Sequence, residues 1–121
     1  QQWRKTMSIN KMRAEKLLTF KNVEYKARMS LDTIIRIEDK LGIGLFKLAT
    51  NLTQGDFTTN QIISILTLAI RAGGNDVKDN DVKVLVEEIG LIEGIRITGE
   101  LITLALNVDN DNDEKKSEEV V

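Results

Sequence analysis

The chain of 121 residues contains no cysteine and no histidine. Their absence removes disulfides, thiolate and imidazole zinc sites, cysteine nucleophiles and histidine general bases, and with them most familiar enzyme chemistry. No catalytic, cofactor or metal site is therefore expected, and the sequence reads as a binding protein, not an enzyme. Aromatic residues number only five (Trp3, Phe20, Tyr25, Phe46, Phe57), so the core must be aliphatic and base stacking on aromatics is disfavoured. The longest apolar run, Ile62–Ile70, is interrupted by Ser64 and Thr67 and falls short of the roughly 20 residues needed to cross a bilayer. Gln1–Met12 is basic but has no apolar segment after it, unlike a signal peptide. These absences together suit a soluble protein of the cytoplasm with no membrane partner.

What is present is an ordinary globular composition, 41% hydrophobic and 30% charged, at a length that supports one core and buries roughly 60–70% of the unfolded surface. Charge is unevenly placed. Residues 1–28 hold eight Lys or Arg against Glu15 and Glu24, a balance of +6, whereas residues 109–121 hold six acids against Lys115 and Lys116, a balance of −4. The chain accordingly divides into a flexible basic arm (1–12), a single domain (13–108) and an acidic tail (109–121) with no core-forming pattern, expected to be disordered. A basic arm could meet nucleic acid, but the overall charge of −2 and the lack of a basic recognition helix disfavour that partner.

The expected fold is α+β and mostly helical, with an N-terminal β-hairpin packed on about five helices. From Ala14 to Met29 the apolar period is two. A turn at Lys21-Asn22 pairs Phe20 with Val23, Leu18 with Tyr25 and Lys16 with Ala27, which places Leu18, Phe20, Val23, Tyr25 and Ala27 on one face. Asn22 is the turn residue that tolerates positive φ. Ser30 then caps a helix whose stripe is Leu31, Ile34, Ile35 and Leu41, widened by Ile37, and Gly42 ends it. A second helix carries Leu45, Phe46, Leu48, Ala49 and Leu52. Thr58 and Gln61 form a capping box for a third, apolar over more than half its circumference from Ile62 to Ile70 and so the most buried, ending at Gly73-Gly74. Asp79 is the expected cap of a fourth, with Val82, Leu85, Val86 and Ile89 inward and Gly90 its stop. The last helix, from about Leu91 to Asn107, should turn Ile92, Ile95, Leu101, Ile102, Ala105 and Leu106 inward, while Gly94 and Gly99 allow a close helix crossing.

Candidate chemical motifs fail in turn. Asp109, Asp111 and Asp113 imitate half an EF-hand loop, but Glu114 stands where glycine is needed and Val120 where a bidentate Glu belongs. Gly42-Ile43-Gly44 follows a helix where a phosphate-cradling loop follows a strand. Asn75–Asp81 gathers carboxylates that Lys78 interrupts. Glu38 and Asp39, adjacent on a helix, point about 100° apart and cannot cooperate as an acid–base pair. Glu38 interrupts an otherwise apolar position, which leaves it a surface, ion-pair or partner-facing role.

The most telling stretch is the glycine-kinked corner Ile37-Glu38-Asp39-Lys40-Leu41-Gly42 continuing through Leu48, preceded by a short hairpin and followed by helix, Gly-Gly, helix, Gly-Leu, helix. From about Arg13 to Leu106 this order resembles the gene-transfer-agent family of phage tail-assembly proteins. The resemblance implies a tail-assembly chaperone that holds the helical tape-measure protein soluble until tail tube subunits polymerise around it, in the cytoplasm of the bacterial host. The tail tube protein is then a further partner, and self-association is left open. The corner residues Ile43, Leu45 and Phe46 are the candidate partner-binding side chains, with plain core packing as the competing account. Two other readings stand beside it: a structural tail component retained in the particle, and a small helical DNA-binding regulator.

Overall fold

The computed structural model describes residues 14–120, with side chains as far as Asn107. The basic arm expected over 1–12 lies outside the described residues. In chain order the elements are β1 (Glu15–Phe20), β2 (Val23–Arg28), α1 (Leu31–Leu41), α2 (Leu45–Gln54), α3 (Thr59–Ala72), α4 (Asp79–Ile89) and α5 (Leu91–Val120). The fold is α+β, a two-stranded antiparallel hairpin followed by five helices.

The hairpin has the expected register, with Phe20 opposite Val23, Leu18 opposite Tyr25 and Lys16 opposite Ala27. Leu18, Phe20 and Ala27 are buried, and the Phe20 and Tyr25 rings meet edge to face at 6.1 Å. Val23 departs from the expectation and is exposed, at the turn end of a ribbon whose main cover is α3 and α4. It is Lys21, not Asn22, that takes the left-handed conformation, at φ 56°. That choice costs a lysine on the order of 1 kcal/mol, which the fully satisfied pairing on both sides offsets.

Helix α3 is the hub. It packs against β2, α1, α4 and α5, and Ile62, Ile63, Ile65, Leu66, Ala69 and Ile70 are all buried. Thr67, equally buried, satisfies its hydroxyl by donating to the Ile63 carbonyl at 2.8 Å. The Thr58–Gln61 capping box opens the helix in both directions, at 3.0 and 3.1 Å. Its far end is set by two glycines with different duties. A Cβ on Gly73 would stand 1.9 Å from the Lys26 carbonyl oxygen, so only glycine lets α3 come this close to β2, and Gly74 supplies φ 102° for the exit.

Helix α1 buries Thr33, Ile34 and Ile37 and leaves Leu31 and Ile35 exposed, so its inner face is rotated from the expected stripe and centred on Ile37. Ser30 Oγ accepts from the Thr33 N–H at 3.3 Å, as its position promised. In α4, Val82, Leu85 and Val86 are buried, but the cap is Lys78, whose N–H donates to Asp81 Oδ2 at 2.9 Å. Asp79 is instead the first helical residue. In α5 the buried face runs through Ile97, Thr98, Leu101, Ile102 and Ala105, while Ile92 is 81% exposed. Gly94 packs closely on Val86 of α4, where a Cβ would stand 3.2 Å from a valine methyl. The backbone of α5 continues past the last apolar turn to Val120, so the acidic segment from 109 to 120 is carried on this helix.

A candidate protein-interaction surface

At the corner between α1 and α2 the chain must end one helix and start another within three residues. Gly42 takes φ 73° and donates its N–H back to the Glu38 carbonyl at 2.8 Å. Gly44 occupies the cap position of α2 and has no side chain to offer. The missing acceptor comes from the preceding helix: Glu38 Oε2 accepts the Leu45 N–H at 2.8 Å. A carboxylate at a helix N-terminus also interacts favourably with the helix dipole, so one side chain fixes the angle between α1 and α2. Sequence reasoning missed this role, since capping residues are sought immediately before a helix and Glu38 lies seven residues upstream.

The structure separates the three expected partner-binding residues. Leu45 is buried in the core, and Ile43 is partly buried and packed against that core. Packing accounts for both. Phe46 points outward at 75% exposure. Ala49 and Thr53, three and seven residues on along the same helical face, form one wall of an apolar groove of about 350 Å³, which Phe46 itself does not line. The opposite wall is α5, through Ile95, Gly99, Ile102 and Leu106, with Leu52 contributing from α2. A Cβ on Gly99 would meet nothing within 4 Å, so this glycine leaves the groove open at that point. Ile95 and Leu106, expected inward, are partly buried and line this groove. From Ile95 to Leu106 the groove extends about 16 Å at the rise of an α-helix, the length of three helical turns.

A second apolar concavity, of about 490 Å³, lies where the start of α3 meets α4 and the start of α5, lined by Ile63, Val86, Gly90 and Leu91, with Lys83 and Glu87 beside them. Between α1, α3 and α4 sits a small polar cluster. Asp79 Oδ2 is 3.5 Å from Lys40 Nζ, and Asp79 Oδ1 is buried with no hydrogen-bond partner while the Thr67 hydroxyl points to the Ile63 carbonyl. The nearby Thr67 hydroxyl and the Lys40 charge hold the Asp79 carboxyl below its ordinary range. Among the described residues no group of three or more acidic side chains is placed to hold a metal ion. Nor is any described helix long and apolar enough to cross a membrane.

These features describe a small helical domain with grooves and an exposed aromatic. The family described as phage tail tube protein, GTA-gp10, matches residues 13–108. The chain belongs to that family. No curated protein and no solved structure matches it. The matched segment begins just before β1, contains the whole hairpin and helices α1 to α4, and ends in α5 one residue beyond Asn107. The chain is thus related to the tail of a phage or gene transfer agent, and the corner, both grooves and the Asp79 cluster all fall inside the family's shared region.

Proposed function

We propose that this protein is a tail-assembly chaperone, a non-enzymatic binding module that holds helical segments of the tape-measure protein before the tail tube forms. The observation that carries this reading is the groove between α2 and α5. Its walls are helical stripes, its length suits three turns of a client helix, and the exposed Phe46 lies one helical turn before Ala49 of its wall. Recognition of an amphipathic helix in an apolar groove needs these parts and no chemistry. Walls of aliphatic side chains and glycine favour weak, repeated binding of many similar helices, which suits a long helical client. On this reading the work takes place in the host cytoplasm, and the tail tube protein displaces the chaperone.

A second reading has its own support. The family's description names a tail tube protein, which favours a component that stays in the particle and self-associates. Co-expression with the tape-measure protein followed by size-exclusion chromatography with light scattering separates the two. The chaperone reading expects the client to be insoluble alone and soluble in a complex holding several copies of this domain. Thr103→Glu, an exposed change in the groove, should release the client without unfolding the domain. An unaffected client, with rings or tubes formed by this protein alone, would assign it to the particle.

A further inference from the structure

The two strands of the hairpin pair only with each other, so each has an outer edge. The register decides which backbone groups face those edges. In an antiparallel ladder, hydrogen-bonded residue pairs alternate with pairs whose N–H and C=O groups point away from the neighbouring strand. The Met29 N–H donates to the Ala14 carbonyl at 2.7 Å, which makes Ala14–Met29 a bonded pair and Leu17–Lys26 an outward-facing one. On β2 the outer edge is closed at that point: the Lys26 carbonyl accepts from Asn75 Nδ2 at 2.9 Å, and Gly73 at the end of α3 packs on the same carbonyl. On β1 the edge is open. Glu15, Leu17 and Thr19 turn their backbone groups outward, and among the described residues no other backbone group bonds to them. Natural sheet edges are ordinarily guarded by charge, proline or a bulge. This one has an unbroken register, no proline, and Leu17 at its centre, 62% exposed on the solvent face of the hairpin. The Lys16 charge on the other face is met by Glu100 of α5 at 3.6 Å.

We infer that the β1 edge pairs with the β1 edge of a second copy, joining two hairpins into one four-stranded antiparallel sheet. A row of alternating donors and acceptors is satisfied by another strand, and among the described residues β1 is the strand whose edge is open along its length. A two-fold axis at Leu17 is the register that uses all three outward residues. It sets Leu17 opposite Leu17, and Glu15 opposite Thr19 of the second copy, with two hydrogen bonds at each of the three pairs, about six in all. The exposed leucines then cover each other, and no like charges stand opposite within the strands. Sliding the register by two residues either way loses one of the three pairs, and in one direction it also sets Lys16 against Lys16. No β1 residue lines the α2–α5 groove, so this contact does not depend on the client assigned there.

The chain has no cysteine, so a single introduced thiol in the full chain reports the register. Under mild oxidation Leu17→Cys should give a disulfide-linked dimer, because directly opposite residues of a bonded pair have Cα atoms about 5.5 Å apart, within disulfide reach. Thr19→Cys alone should not, since its counterpart lies four residues along the strand, roughly 13 Å away, whereas Thr19→Cys mixed with Glu15→Cys should. Light scattering of the unaltered chain should show a concentration-dependent dimer. Leu17→Lys, which sets two charges face to face at an exposed position, should weaken that dimer at least tenfold while the far-ultraviolet circular dichroism stays that of the parent. Hydrogen exchange at the Thr19 amide should be slow in the dimer and fast in Leu17→Lys. A monomer with slow exchange at Thr19 would give the edge to the chain's own residues 1–13, and a monomer with fast exchange would leave it unpaired. A dimer indifferent to Leu17→Lys, or one that Thr19→Cys links as readily as Leu17→Cys, would place the contact elsewhere. Each of these four results overturns the inference.

Discussion

Helices α3 and α1 are both rich in isoleucine and leucine, yet they treat those side chains differently. In α3 nearly every apolar residue is enclosed because β2, α1, α4 and α5 surround it. In α1 the cover is one-sided, mainly α3, and Leu31 and Ile35 remain in water at 65% and 53% exposure. The same amino acids serve as core in one helix and as surface in the other, so apolar content alone does not tell packing from binding. What decides is how many neighbours an element has, and the elements with fewest neighbours are where a partner can dock.

The sharpest way to break that contrast is to truncate equivalent side chains. Leu66→Ala in α3 removes a fully buried side chain from the hub and should cost about 2–5 kcal/mol, seen as a lower denaturant midpoint. Leu31→Ala in α1 should fall within about 0.5 kcal/mol of the parent. Equal losses would show that Leu31 is enclosed in solution, by a second copy or by residues 1–13.

The hub's approach to the hairpin offers the next test. Gly73→Ala forces a methyl group onto the Lys26 carbonyl, a backbone atom that cannot swing away. The expected loss is about 1–3 kcal/mol, with the hairpin displaced from α3. Gly99→Ala, by contrast, enters open space and should stabilise α5 by up to about 1 kcal/mol while narrowing the client groove. The pair separates a glycine the fold requires from one that only shapes a surface.

Much of this was legible in advance. The hairpin register, the helix order, the capping box at Thr58 and the stops at Gly42, Gly73-Gly74 and Gly90 follow from local chemistry, and each is present. The phase of α1 and α5 was partly legible: Ile34, Ile37, Leu101, Ile102 and Ala105 go inward as expected, but Leu31, Ile35 and Ile92 do not, because both helices carry more apolar residues than one face can bury. Which of the corner residues face outward was not legible from periodicity. Phe46 is the outward member of the expected trio, whereas Leu45 goes inward and the groove uses Ile95 and Leu106, which periodicity alone had assigned to the core.

Glu38 allows the corner to be tested apart from the hub. Glu38→Ala leaves the Leu45 N–H without its acceptor and should cost about 0.5–2 kcal/mol, the range for loss of a helix cap. Glu38→Gln keeps an acceptor but loses the charge, and its cost should be smaller. If both variants match the parent, the angle between α1 and α2 is held by core packing at Ile37 and Leu48 and not by the cap.

Asp79 supplies a pH test of smaller size. Its carboxyl is held below the ordinary range in the folded chain, so the stability it contributes is complete above the unfolded value, near 4, and is lost as pH falls through the folded value. Nearly half of the side chain is exposed, which limits the contribution through solvent screening to under about 1 kcal/mol. Asp79→Asn should be slightly less stable than the parent at pH 7, with the gap closing on acidification below pH 4. A constant gap would mean that the ionised form gains nothing from Lys40 and Thr67.

Phe46 gives the smallest stability effect and the most informative contrast with Leu66. At 75% exposure it contributes little to the core, so Phe46→Ser should unfold within about 0.5 kcal/mol of the parent. An exposed aromatic one helical turn from the wall of an apolar groove is nevertheless the kind of side chain that carries much of a binding interface. The substitution should therefore leave the thermal midpoint in place and remove soluble tape-measure protein from the co-expressed complex. Lost stability with retained client binding would move Phe46 to the core side of the comparison and shift the binding surface to the concavity at Ile63 and Leu91.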